Sequence, residues 1–138
     1  MDTKKVYLDA IAKKYHNKDK IYVEELGVKV ATILNIMSTV FTEKDELLLA
    51  QGVIVVYYLI FRSAVAHDEE AKITRRGLLD FRQKLADNRE AAVNNYEGAS
   101  FDLLEFDRLN QQGTNDASSI KERVRILSEF LGVTVDKI

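Results

Sequence analysis

Arg62 and His67 are the two residues whose types and spacing could carry out a reaction. Four residues separate them in the stretch RSAVAH, at the end of a long apolar run. An arginine holds a phosphate group through paired hydrogen bonds, and a histidine exchanges protons near neutral pH. Together they could cleave a phosphodiester bond, with Arg62 binding the phosphate and His67 acting as the general acid or base.

This Arg-x4-His arrangement resembles the signature of the HEPN superfamily of ribonucleases, which are helical domains that dimerise and pair two motifs across the interface. The resemblance implies a dimeric ribonuclease in which Arg62 and His67 are catalytic. Ser63 departs from the pattern, because the family commonly has a polar, amide-like residue after the arginine. The competing interpretation is that both residues face solvent where a helix leaves the core. A short motif matches easily by chance in a chain with eight arginines.

Nucleic-acid binding is the second kind of chemistry that the sequence offers, through Arg75, Arg76, Arg82 and Arg89. Arginines on one helix could neutralise backbone phosphates. The chain has 20 basic and 22 acidic residues and a net charge of −2, so it lacks the basic excess typical of duplex-binding proteins. Paired arginines on a charged helix are more often solvated surface, and this alternative stays open.

A polar corner, NQQGTNDASS at 110–119, could bind an anion through the backbone amides around Gly113, Ser118 and Ser119. The same residues have structural roles available. Gly113 can end a helix in the left-handed conformation, and Ser119 with Glu122 forms the S-x-x-E pattern of a capping box. The sequence favours the structural interpretation of this corner.

Several site classes are excluded or disfavoured. The chain has no cysteine, which excludes disulfides, thiolate nucleophiles and Cys-ligated zinc. His16 and His67 are far apart, and the adjacent pairs Glu24–Glu25 and Glu69–Glu70 point to different faces of a helix, so we expect no metal site. Phosphate-binding and dinucleotide-binding motifs are missing, so we expect no cofactor. A non-catalytic, cytoplasmic protein is favoured, and enzymatic activity stays an open question.

The elements that must position these residues are predicted to be helices throughout. The chain has no proline, and apolar residues recur at steps of three and four. We expect one domain over residues 1–138, an all-α compact bundle of five or six helices. Thr74 and Ser100 are expected to begin two helices, Gly132 to end the last one, and Gly27 to delay the start of the second. The predicted helices cover about 3–16, 21–41, 46–66, 74–95, 100–112 and 119–131.

The helix over 46–66 is expected to lie at the centre of the bundle, with Thr42 in the start signal before it. Its run from Gly52 to Phe61 carries no charge, so other helices should enclose it on all sides. The run is shorter than the roughly 20 residues of a membrane span, so we expect no membrane association. In the helix over 100–112, Phe101 and Leu104 are expected to face the core, with Leu109 as a further candidate.

Three segments of the chain resemble a larger protein group. FTEKDELLLAQGVIVVYYLIFR, LLDFRQKLADNRE and LLEFDRLNQQGTNDASSIKERVRILSEFL, within residues 41–131, are similar to the C-terminal helical region of ParB/sulfiredoxin-like proteins, as in GmrSD-type restriction enzymes and related phage-defence proteins. In that group an Asp-Gly-Gln-Gln-Arg type motif of the N-terminal domain carries the nuclease chemistry, and this chain lacks the motif. The resemblance implies a non-catalytic accessory module that binds a protein or a covalently linked catalytic domain, with homodimerisation left open.

Overall fold

Helices form all the regular structure that the computed structural model describes, which covers residues 5–16, 18–112 and 115–136. Within these ranges there is no β-strand, and the predicted all-α fold is confirmed. The six α-helices are α1 (Lys5–His16), α2 (Lys20–Met37), α3 (Gln51–Ala66), α4 (Arg75–Asn94), α5 (Phe101–Gln111) and α6 (Ala117–Leu131). Short 3-10 helices lie at Glu46–Leu48, Glu70–Lys72 and Tyr96–Gly98.

The core lies between α3 and α6, which pack against each other. Helix α2 covers another side of α3, and α4 and α5 pack against α6. The apolar stripe of α6, at steps of four and three, is buried as its spacing predicts. The most deeply buried aliphatic side chains are Val56, Leu59, Ile60, Ile120, Val124 and Leu127. The apolar segment is therefore central, although α6 shares that position with it.

Three of the predicted helix boundaries are confirmed by their hydrogen bonds and backbone angles. The Thr74 hydroxyl accepts from the Gly77 amide at 3.0 Å, and the Ser100 hydroxyl accepts from the Leu103 amide at 3.5 Å. Gly132 ends α6 with φ of 71°, the left-handed conformation that glycine adopts without strain. These boundaries depend on residues close in sequence, which explains why the pattern could predict them.

The predicted start of the central helix is wrong. Thr42 does not cap it, and α3 begins at Gln51 rather than at residue 46. The side chain of Asp45 accepts from the Leu47 amide at 3.0 Å and starts the separate 3-10 helix at Glu46–Leu48. It also accepts from the Thr42 amide at 2.8 Å, so Thr42 is a donor to the cap rather than the cap itself.

The second helix begins earlier than Gly27 led us to expect. Helix α2 begins at Lys20, and the side chain of Asp19 accepts from the Ile21 amide at 3.1 Å. A single glycine costs a helix only about 1 kcal/mol, and the cap at Asp19 offsets part of that cost. Gly27 therefore lies inside α2.

Helix α5 is rotated relative to its predicted orientation. Phe101 is 72% exposed, and Phe106 is 2% exposed and occupies the core position. The ring of Phe106 packs edge-on against Phe81 of α4, with ring centroids 4.9 Å apart. Leu104 is only half-buried. The expectation that Phe101 faces the core is wrong, because α5 packs α4 through its later residues.

Candidate functional site

Arg62 and His67 both lie at the end of α3, as the sequence predicts, but in different environments. Arg62 is exposed, and it is the arginine for which the described part of the chain provides no ion pair or hydrogen bond. His67 follows the last residue of α3, and its Nε2 lies 3.2 Å from Oδ1 of Asp136. This contact links the end of α3 to the segment after α6, so His67 has a structural role available beside a catalytic one.

The four arginines considered for nucleic-acid binding are each paired with a carboxylate. Arg75 contacts the buried carboxylate of Asp45, and Arg76 lies 3.8 Å from Asp80. Arg82 lies 2.7 Å from Glu46. Arg89 makes a two-pronged contact with Asp107, at 3.0 and 2.9 Å. Much of their positive charge is thus balanced by neighbouring carboxylates. The Arg76 pair lies within α4, and the other three connect α4 to the loop before α3 and to α5.

The corner considered for anion binding is only partly described. Gly113 lies outside the described residues. Helix α6 begins at Ala117 with Asp116 before it, so the predicted capping box of Ser119 and Glu122 is wrong. Ser118 is exposed, whereas Ser119 is buried, and its hydroxyl has no hydrogen-bond partner in the described chain. The Asp116 carboxylate before the helix disfavours an anion there, because like charges repel.

A cavity of about 450 Å³ lies between α3, α4 and α5, and the pairs Arg82–Glu46 and Arg89–Asp107 line it. Tyr57 lies in its wall, and burial raises the pKa of that phenol to about 12. A phenol with this pKa is neutral and a weak acid at pH 7, so it is suited to packing and hydrogen bonding rather than to proton transfer. The cavity combines an apolar floor with paired charges.

Neither a metal cluster nor a membrane span was found in the part of the chain that the structure describes. Among the described residues, no group of three or more histidine, aspartate or glutamate side chains lies close enough to hold a metal ion. No helix there has both the length and the apolar character needed to cross a bilayer.

The most unusual surface is an N-terminal arm, which we define as α1 and residues 18–32, up to Thr32 of α2. Helix α1 has 12 residues and buries none of them. The buried residues of α2, Ile33 and Met37, both lie beyond the arm. The ring of Tyr15 stacks on Tyr22, with centroids 6.0 Å apart, and links the two helices of the arm.

Large apolar side chains are concentrated on this arm. It carries nine of the fifteen large hydrophobic residues that are exposed in the described chain, and Val6, Ile21 and Val28 are 71%, 63% and 66% exposed. The nine are Val6, Tyr7, Leu8, Ile11, Ile21, Tyr22, Val23, Leu26 and Val28. At roughly 150–200 Å² for a fully exposed large side chain, their exposed area sums to about 850 Å² over all sides of the two helices.

An apolar groove of about 350 Å³ runs between the arm and α3. Leu26 and Val30 of α2 line one wall, and Tyr58 and Val65 of α3 line the other. Arg62 lies in the same groove, so the candidate catalytic arginine borders the exposed apolar surface.

The spacing of apolar residues predicts α1 and α2 as helices but does not predict their exposure. A signal was present in IYV at 21–23, where three consecutive apolar residues point to three directions around a helix. One packing contact within the chain cannot bury all three. Such a run in a surface helix therefore indicates that some of these side chains stay exposed or contact another molecule.

The comparisons with known proteins add no relatives. No family model matches the chain, and no curated protein or solved structure matches it. The resemblances to HEPN ribonucleases and to the C-terminal region of GmrSD-type proteins therefore stay predictions.

Proposed function

We propose that this chain is a protein-interaction module, with helices α3–α6 as the scaffold and the N-terminal arm as the binding surface. One observation carries the proposal: α1 is an amphipathic helix that buries none of its residues. A helix of 12 residues is marginal in water on its own, because its stability normally comes from packing of its apolar face. A protein surface that covers α1 would supply that packing.

The proposed role is an accessory one. The resemblance to the C-terminal region of GmrSD-type proteins supports a bacterial restriction or phage-defence context, in which a catalytic domain would be one such partner. A cytoplasmic location accords with the absence of cysteine from the sequence.

Site-specific photo-crosslinking in cells tests the interaction. A photoreactive phenylalanine analogue at Tyr22, in the arm, should give a discrete adduct with a protein. The matched control is the same substitution at Tyr96, which is also exposed and lies on the 3-10 helix after α4. Adducts at Tyr22 that are no more abundant than those at Tyr96 would reject the proposal.

A second candidate function is ribonuclease activity through Arg62 and His67. The observation that favours it is the position of Arg62, which is exposed, lines the groove and has no ion pair in the described chain. Structured RNA is incubated with the purified protein and with an Arg62→Ala, His67→Ala double variant. Cleavage by the first and not by the second would establish this function. Equal rates for both would eliminate it.

A further inference from the structure

We infer that a second copy of this chain covers the N-terminal arm, with α1 of each protomer lying in the groove between α2 and α3 of the other. The inference rests on the proposed function, because it names the protein that the arm binds. It goes further by assigning both surfaces of the interface, the helix and the groove, to the same chain.

The two surfaces are both apolar, and the groove is long enough to receive part of α1. Leu8 and Ile11 form the exposed apolar stripe of α1, and Leu26, Tyr58 and Val65 line an apolar groove. At about 1.5 Å per residue, α1 is about 18 Å long, and the groove follows α2 from Leu26 to Ile33 for about 12 Å, so the groove receives about two turns of α1. A two-fold axis that places α1 in the partner's groove also places the partner's α1 in the first groove.

The apolar area on the arm is of the size that a stable dimer needs. Summed over all sides of its two helices, the exposed apolar side chains amount to about 850 Å² per chain, an upper bound to set beside the ~800 Å² that each partner contributes to a standard-size interface. Each arm contributes a helix to one contact and a groove wall to the other, and the α3 wall adds to the buried area.

Charge opposes the contact locally, so apolar burial must hold it together. Helix α1 carries three lysines and one aspartate, and the groove that receives it is lined by Lys29 and Arg62. Because salt screens these like charges, dimerisation should strengthen as ionic strength rises.

The mass of the protein in solution is the first test. Light scattering on the full chain, over a range of concentrations, should give twice the 15.7 kDa of one chain at high concentration and fall toward that value on dilution. A mass of 15.7 kDa at every concentration would overturn the inference.

Two charged variants test the reciprocal geometry. Ile11→Glu alters only the helix side and Leu26→Lys only the groove side, so each alone damages both halves of a symmetric dimer. Each should weaken dimerisation by at least about tenfold. Mixed in equal amounts, they should form a heterodimer again, because one half is then unaltered and the other joins Glu to Lys. If the mixture stays as monomeric as the separate variants, α1 does not lie in the partner's groove.

Matched controls separate loss of association from loss of folding. Val93→Glu changes an apolar residue of α4 that is 85% exposed, and it should leave the dimer intact. Circular dichroism should show the same thermally cooperative bundle in every variant. If Ile11→Glu unfolds the bundle, Leu8→Glu tests the same face of α1.

Failure of this inference is distinguishable from failure of the proposed function. A monomer that still gives a Tyr22 adduct with a different protein retains the interaction role and rejects the second copy as its partner. Adducts between two copies of the chain in cells support both.

Discussion

The guanidinium of Arg75, at the start of α4, contacts the buried carboxylate of Asp45, which lies thirty residues earlier in the chain. The same carboxylate accepts from the backbone amides of Thr42 and Leu47. One side chain therefore shapes the loop before α3, begins its 3-10 helix and joins that loop to α4. The hydrogen bond from Arg75 holds the pKa of Asp45 well below its usual range, although burial acts in the opposite direction.

Replacing this carboxylate should destabilise the fold. Asp45→Asn keeps the shape and one acceptor but removes the charge that faces Arg75. We expect the free energy of unfolding to fall by about 2 kcal/mol, less than the roughly 3–5 kcal/mol for a fully buried pair because Arg75 is partly exposed. Urea unfolding, monitored by circular dichroism, measures this change in the free energy of unfolding. Glu43→Gln, at an exposed position of the same loop, is the control, and equal midpoints for the two variants would contradict this role.

Stability should fall in acid. The hydrogen bond from Lys72, followed by that from the Thr134 amide, lowers the pKa of Glu69 from 4.5 to about 2, and the pKa of Asp45 is also lowered. A carboxyl whose pKa is lowered by folding contributes stability above its unfolded pKa and loses it as pH falls through the folded value. The free energy of unfolding should therefore decrease from about pH 4.5 to pH 2.

Urea titrations at a series of pH values measure this decrease. Glu69→Gln should be less stable than the parent protein at pH 7, and the two curves should converge in acid. A parent protein as stable at pH 3 as at pH 7 would show that these carboxylates do not control acid unfolding.

The orientation of α5 predicts opposite results for two phenylalanines five positions apart. Phe106→Ala should cost about 3–5 kcal/mol, because it leaves a cavity beside Phe81. Phe101→Ala should change the free energy of unfolding by less than about 0.5 kcal/mol, because Phe101 is largely exposed. Chemical denaturation of both variants measures the two losses of stability. A larger loss for Phe101→Ala than for Phe106→Ala would mean that α5 packs through its other face.

The protein should not bind nucleic acid detectably through its α4 arginines, even at low salt. Arg75, Arg82 and Arg89 are paired with carboxylates, so a phosphate would have to displace a protein partner. We expect no gel shift of duplex DNA or structured RNA at about 50 mM salt. A salt-dependent shift that Arg82→Ala and Arg89→Ala both weaken would restore this surface as a nucleic-acid interface.

Local signals account for what the sequence predicted well. The caps at Thr74 and Ser100 and the turn at Gly132 act through hydrogen bonds or backbone angles within a few residues. The start of α3 was missed because Ala50, the residue before it, makes no side-chain cap hydrogen bond, so no local signal marks Gln51 as its first residue. Phe101 and Phe106 were misassigned because aromatic residues at both positions leave the rotation of a short helix ambiguous.

For the candidate sites too, the sequence predicts features that depend on nearby residues and misses those that depend on tertiary packing. Arg62 and His67 lie at the predicted end of α3, because their placement depends only on the helix that carries them. The exposure of α1 could not be deduced from its spacing, since an amphipathic stripe looks the same whether it faces its own core or another molecule. Only the packing of the other helices reveals that no core remains for Leu8 and Ile11.

Because α1 buries none of its own residues, it gains little stability from the rest of the described chain. Under the proposed function, a partner protein supplies that packing, so the amount of partner decides how much of the arm is ordered. Where the partner is scarce, we expect proteases to cleave the arm while α3–α6 stay folded.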